Sequence, residues 1–187
     1  MEKSFLDSIS FPYDTLREGQ DTFIEKVYTT IEQQKNLLVS APTGLGKTVS
    51  ALAPALALGK KLNKTVVCLT SRQTQVNQII KTIKDIHQVS GTSINYVAFI
   101  GKRHMCVHPD RELYPPGDFL EFCKKTREQG KCSFYKNARN DEYQEQIQST
   151  IEHSTKQFMN VEQFVEFMGA NRFCPYEMAA TKAYQAD

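Results

Sequence analysis

Asn36-Leu-Leu-Val-Ser-Ala41-Pro42-Thr43-Gly44-Leu45-Gly46-Lys47-Thr48 is the stretch on which the fold turns. Its first half reads as a buried strand, and Thr48 to Leu58 behind it reads as a helix. A strand feeding a glycine-containing loop that opens a helix presents backbone N–H groups and a helix N-terminus to an anion. Lys47 then reaches terminal phosphates, and the Thr48 hydroxyl is placed to ligate Mg²⁺. The strict pattern opens on glycine where this chain has Ala41, but a small side chain suffices there. Thr43, Gly44, Leu45, Gly46, Lys47 and Thr48 are therefore the candidate phosphate-binding residues, and the loop implies a nucleoside triphosphate ligand.

Working outward, residues 19–33 carry apolar positions at helical spacing (Phe23, Val27, Ile31). Beyond the loop and its helix, Lys64 to Thr70 is a second β-branched run suited to a buried parallel strand. Cys68 within it reads as a small buried hydrophobe. Ser71 to Val89 then reads as a helix with Val76, Ile79, Ile80, Ile83 and Ile86 on one face, and Ser90-Gly91 ends it. Asn95 to Ile100 reads as a third strand. This alternation opens an α/β sheet with ligands at the carboxyl ends of the strands. Pro54 predicts a kink or an early weak turn in the helix after the loop.

The character changes at Gly101. From there to Cys174 no strand-like run occurs, and four of the five cysteines and the Pro115-Pro116 pair collect there. Asp118, Glu121 and Gly130 frame a short helix carrying Cys123, and Asn160 to Gly169 frames another. The expected organisation is a nucleotide-binding part over 1–100, a mainly helical insert over 101–175, and a return segment over 176–187.

Composition excludes some classes. Apolar residues make up 40% and charged residues 24%, ordinary for a soluble domain, and the net charge is only +2. Any nucleic-acid signal must therefore be local. No apolar run approaches the roughly 20 residues of a membrane span, and the first residues lack the features of a signal peptide. The expectation is an intracellular monomer, cytoplasmic or, in a eukaryote, nuclear, where cysteine clusters bind metal more often than they form disulfides.

Cys106, Cys123, Cys132 and Cys174 are spaced C-x16-C-x8-C-x41-C. Structural zinc usually draws on closely spaced cysteine pairs, absent here, although His104 and His108 flank Cys106. An iron–sulfur cluster with four-cysteine ligation tolerates wide spacing. Unrelated core cysteines and disulfides complete the alternatives, and the spacing leaves all of them open.

Several segments together resemble one family. The loop in its A-x-T-G-x-G-K-T form is similar to that of superfamily 2 helicases. Phe11-Pro-Tyr13-Asp with Arg17 and Gln20 resembles the adenine-side motif of the XPD-family iron–sulfur DNA helicases. Thr70-Ser71-Arg72-Gln-Thr-Gln75 resembles their motif Ia. Gly101-Lys102-Arg103-His-Met-Cys106 and Cys174-Pro-Tyr176 resemble the segments that hold their first and fourth cluster cysteines.

The resemblance implies an incomplete RecA-like parallel sheet of the P-loop NTPase class with an inserted iron–sulfur subdomain. It also implies an ATP-driven 5′–3′ translocase on single-stranded DNA, acting in nucleotide excision repair with DNA-repair proteins as partners. Gln20 would bond the adenine, with Phe11, Tyr13 and Arg17 around it. Lys47 and Thr48 would serve catalysis through ATP and Mg²⁺, and Ser71, Arg72 and Gln75 would lie on the DNA backbone. Cys106, Cys123, Cys132 and Cys174 would ligate a structural [4Fe-4S] cluster.

Residues 122–140 add six Lys/Arg against the single acid Glu128, with aromatics interleaved. That pattern suits stacked single-strand bases, although ordinary solvated helix faces share it. Lys102, Arg103, Lys124, Lys125 and Tyr135 are the candidate DNA contacts. The family's D-E-A-H carboxylates occur nowhere in the chain, so it is expected to bind nucleotide with negligible turnover. Two other readings remain, a non-catalytic DNA- or partner-binding module and an iron–sulfur redox sensor.

Overall fold

The computed structural model describes residues 3–91 and 93–184, so the last three residues of the 176–187 return segment lie outside it. The chain divides into two compact units, one up to Ile94 and one from Asn95 onward.

The first unit is built on four helices: α1 (Lys3–Ser8), α2 (Gln20–Glu32), α3 (Lys47–Leu62) and α4 (Gln73–Ser90). Of the apolar positions that predicted α2 and α4, Val27, Ile80, Ile83 and Ile86 are buried and Phe23, Ile31, Val76 and Ile79 are half-buried, while Ile24, beside Phe23, is fully buried. α3 supplies Val49, Leu52, Ala53 and Leu58 and packs against both α2 and α4. Each buried Val, Leu or Ile of this set contributes roughly 1.5–3 kcal/mol. α3 continues through the buried Pro54 to Leu62, so no helix end falls there. Lys60 and Lys61 occupy its last turn, where cations oppose the negative end of the helix dipole.

The sheet expected from residues 36–41, 64–70 and 95–100 is not formed among the described residues: all three run without strand pairing. A parallel strand needs hydrogen-bonded neighbours beside it and cover over both faces. Here Leu38 is 100%, Val67 75% and Leu69 92% exposed, so the cover inferred from their composition is missing. Cys68 is exposed for the same reason, not buried as its strand reading required. The third segment instead joins the second unit, where Val97 and Ile100 pack on a helical core.

That second unit contains a 3-10 turn (Pro109–Leu113), α5 (Phe119–Glu128), α6 (Ser133–Asn137), a 3-10 turn (Asp141–Tyr143), α7 (Gln144–Lys156), α8 (Val161–Ala170) and α9 (Pro175–Ala183). Asn160 and Gln163 form a reciprocal capping box at the start of α8. α7, α8 and α9 pack mutually around Ile147, Ile151, Phe164, Met168 and Met178, with Met105 and Phe173 filling the centre. No described helix is long and apolar enough to cross a membrane.

Candidate functional site

The phosphate loop adopts the backbone its glycines allow. Gly44 has φ +89° and Gly46 φ +84°, both in the left-handed region, and Gly46 is the N-cap of α3. A side chain is strained at either position. The loop forms one wall of a crevice of about 570 Å³. Tyr13, Arg17, Gln20, Thr43, Gly44, Gly46, Lys47 and Thr48 all line it, bringing most of the candidate nucleotide residues to one place. Phe11 is buried and meets Tyr13 edge to face at 5.9 Å, supporting the crevice from behind.

Two side chains are held differently from expectation. Lys47 folds back over the loop, its ammonium donating to the Ala41 carbonyl at 3.1 Å and the Pro42 carbonyl at 2.7 Å. Gln20 is 3% exposed, and both ends of its amide are engaged. Its Oε1 accepts from the Arg17 N–H at 3.0 Å, and its Nε2 donates to Ser50 Oγ at 3.0 Å. Ser50 in turn donates to the Gly46 carbonyl at 3.0 Å, and the Arg17 guanidinium donates to the Gly44 carbonyl. Gln78 and Thr82 on α4 also line the crevice, which the motifs did not reveal. The available signal was an i, i+4 polar pair on a face otherwise rich in isoleucine.

Ser71, Arg72 and Gln75 stand exposed at the entry to α4, with Arg72 as its N-cap. The Thr70 hydroxyl organises this corner by accepting from the Arg72 N–H at 3.2 Å and bonding Gln75.

In the second unit the four cysteines are free and half-buried. Cys132 is the N-cap of α6, and Cys174 that of α9 with Pro175 behind it. Cys106 Sγ accepts from the His108 N–H at 3.4 Å, and the N–H groups of Glu177 and Tyr176 reach Cys174. Burial pushes the Cys174 thiol up to about 11, with the Glu177 carboxylate and the Cys132 thiol adding to the rise. Burial also raises Cys106, and Cys123 and Cys132 add to it. Cys132 thus acts on both Cys106 and Cys174, and these two sulfurs are met by backbone N–H donors that favour an anionic sulfur.

Among the described residues, no three His, Cys, Asp or Glu side chains converge as ligands of a single metal ion. Zinc would require sulfurs roughly 3.8 Å apart around bonds of about 2.3 Å. A four-iron cluster takes four cysteine thiolates, the number and kind of donor that Cys106, Cys123, Cys132 and Cys174 supply. Arg103 Nε, three residues before Cys106, is buried and has no acceptor among the described residues, as a neighbour of an anionic group would.

One carboxylate ties the cysteine-bearing helices together. Glu177, three residues beyond Cys174, is 6% exposed. Its Oε2 accepts from Arg139 Nη2 at 2.7 Å and Nε at 2.9 Å, and its Oε1 lies 3.9 Å from Arg127 Nη1. Arg127 Nε also donates to the Cys123 carbonyl at 3.3 Å.

The candidate DNA cations are engaged locally. Lys102 lies over the Tyr176 ring at 4.4 Å, Arg103 pairs with Glu112 at 2.9 Å, and Tyr135 sits under Arg127 at 5.1 Å. Lys125 pairs with Glu121 at 2.7 Å and Lys124 with Glu128 at 4.0 Å. The two lysine pairs are exposed and worth little.

The sequence matches the DEAD/DEAH box helicase family over residues 17–114 and the DEAD_2 family over residues 68–187. A probable ATP-dependent helicase of Methanocaldococcus jannaschii is 38% identical over 76 residues, covering 41% of this chain and 11% of that protein. The human regulator of telomere elongation helicase 1 is 21% identical across 96% of this chain and 17% of its own length. The ATP-dependent DNA helicase DinG of Salmonella choleraesuis is 30% identical over 93 residues, 48% of this chain and 13% of that protein. The chain thus spans between a tenth and a fifth of the length of these relatives.

Proposed function

Because the chain belongs to the DEAD/DEAH box helicase and DEAD_2 families, we propose that it is the ATP- and single-strand-binding portion of an iron–sulfur DNA helicase of the XPD type. The observation that carries this reading is the phosphate loop, with Gly44 and Gly46 in left-handed backbone at the mouth of α3 beside a crevice of about 570 Å³. Its N–H groups receive the phosphates, Lys47 turns from the Ala41 and Pro42 carbonyls to the terminal phosphates, and Thr48 takes Mg²⁺. A P-loop NTPase sheet, which the family implies, would cover the exposed apolar residues at 37–39 and 67–69.

In the second unit Cys106, Cys123, Cys132 and Cys174 would hold a [4Fe-4S] cluster, whose chemistry here is to cross-link the helices. Ser71, Arg72 and Gln75 would contact the strand backbone from the first unit, and Lys102, Arg103, Lys124, Lys125 and Tyr135 would contact single-stranded DNA from the second. No D-E-A-H run supplies carboxylates to position water, so these 187 residues bind ATP without appreciable turnover. A role in DNA repair is part of the same proposal.

The test is binding of a fluorescent ATP analogue with Lys47→Ala as control, together with iron and acid-labile sulfide on protein purified without oxygen. About four of each per chain and Lys47-dependent binding are expected. Stoichiometric zinc without colour would remove the cluster. Binding indifferent to Lys47→Ala would remove the nucleotide site.

A further inference from the structure

A second crevice, of about 620 Å³, lies in the unit that begins at Asn95, between the 3-10 turn at Pro109–Leu113 and α5. Its floor is a column of rings. Tyr114 and Phe122 stack at 4.1 Å with planes 19° apart, and His108 meets Phe122 edge-on at 5.3 Å. Tyr114 remains 37% exposed, which leaves ring surface open to solvent. α5 sets Phe122, Lys125 and Thr126 on one face by their i, i+3 and i+4 spacing, and Gln129 follows one turn later.

We propose that this crevice is a nucleobase pocket, in which one base of a single strand stacks on Tyr114. The proposal rests on the single-strand reading above and adds to it a base-binding subsite. The charges favour a base over a phosphate as the group that enters. Asp110, Asp118 and Glu121 line the crevice against Lys125 and Lys131. Three carboxylates against two ammonium groups repel a free nucleotide or phosphopeptide that must bring its anion inside. A base is neutral, and carboxylate, hydroxyl and amide groups match the donors and acceptors of its edge. The strand's phosphates stay at the rim. There Lys125 exchanges its exposed partner Glu121 at little cost. The opposite face of α5 repeats the pairing of aromatic and cation, with Lys124, Arg127 and Tyr135 around a crevice of about 320 Å³. Stacking is indifferent to sequence, because every base has a π-face.

The experiment is fluorescence anisotropy on the cluster-loaded full chain, with a thymine oligonucleotide and an abasic strand of equal length. The base-bearing strand should bind at least about fivefold tighter, the low end for one stacked base. Tyr114→Ala should bring it to the abasic level, Tyr114→Phe should restore the difference, and Lys124→Ala should weaken both strands alike. Halogenated-thymine photocrosslinking on the unmutated chain should label Tyr114 independently of any variant. Equal wild-type affinity for the two strands, or crosslinks that avoid the 108–131 segment, would overturn the pocket and leave the single-strand reading standing. Binding to neither strand would overturn both.

Discussion

Replacing Arg139 with methionine should destabilise the helical unit by about 2 kcal/mol. The arithmetic starts from Glu177, which is buried and receives two donors from Arg139 on a single oxygen. Charge-assisted hydrogen bonds of this kind contribute about 1.5–3 kcal/mol. The Arg139 side chain is 62% exposed, so solvent screening places the value near the lower end. Methionine also leaves the carboxylate with Arg127, 3.9 Å away, as its cation among the described residues, and a buried anion short of partners adds a further penalty of about 1 kcal/mol or less. For a unit of roughly 90 residues, 2 kcal/mol corresponds to a fall in Tm of about 10 °C. Glu177→Gln keeps an acceptor while removing the charge, so it should cost about half as much. The double variant should be better than the sum, because the stranded charge is gone. The assay is thermal unfolding by circular dichroism, with hydrogen exchange read on peptides from α5, α6 and α9. A Tm within about 2 °C of the parent, or strict additivity of the two substitutions, would refute the tie between the cysteine-bearing helices.

Other consequences are sharper in sign than in size. A Cβ on Gly46 would stand 2.5 Å from Gln20 Nε2, whereas one on Gly44 meets nothing within 4 Å. Both alanine variants bear the left-handed penalty of about 1–2 kcal/mol, but only Gly46→Ala should displace Gln20 and lower nucleotide affinity more than about tenfold. Lys182 is 3% exposed, and burial pushes its ammonium down to about 8 from an ordinary 10.5. Between those values the unfolded chain binds more protons, so stability rises from pH 8 to 10.5 and is lowest below 8. The faces of Tyr96 at 4.6 Å and Phe164 at 5.6 Å offset part of that cost. Lys182→Met should therefore raise Tm at pH 7 and abolish the rise, and parallel Tm–pH curves for the two proteins would contradict this. Cys132→Ser should abolish iron binding and expose α5–α9 to hydrogen exchange while α2–α4 stay protected; unchanged exchange would separate the cysteines from any cluster.

Which parts were legible follows from how far each interaction reaches. α2, α3, α4, α5 and α8 were visible because apolar spacing, capping residues and terminating glycines act within a few positions of one another. The phosphate loop was visible for the same reason, since glycine φ angles and the neighbouring N–H groups are set locally. The segments read as strands are unpaired among the described residues, because a strand has no internal hydrogen bonds and takes its partners from neighbouring strands. Leu38, Val67 and Leu69 have the composition of a parallel-sheet core, but composition cannot supply the neighbours that would cover them. The Arg139–Glu177 bond spans 38 positions, and nothing in either residue's surroundings in sequence pairs them. The stacking of Tyr114 on Phe122 was equally hidden, because a loop aromatic meets a helix face only after the turn between them closes.

The bonds around Gln20 bear on how the proposed nucleotide site works. Arg17 donates its guanidinium to the Gly44 carbonyl and its N–H to Gln20. Gln20 donates to Ser50, and Ser50 donates to the Gly46 carbonyl. The chain of bonds begins and ends in the phosphate loop, so Gln20 is a strut of that loop. A residue that only read adenine would, on removal, weaken ATP and leave inorganic tripolyphosphate unaffected. A strut would weaken both, because the left-handed backbone at Gly44 and Gly46 loses support whichever ligand enters. Gln20→Ala also leaves the Ser50 hydroxyl buried with one partner fewer, at a cost of about 1–3 kcal/mol. Up to that amount is withdrawn from loop organisation before any ligand arrives. Tripolyphosphate affinity should therefore fall by roughly tenfold in Gln20→Ala, an order of magnitude being 1.4 kcal/mol. Displacement of a fluorescent ATP analogue by tripolyphosphate measures it. An unchanged tripolyphosphate affinity beside a weakened ATP affinity would return Gln20 to the single role of reading the base.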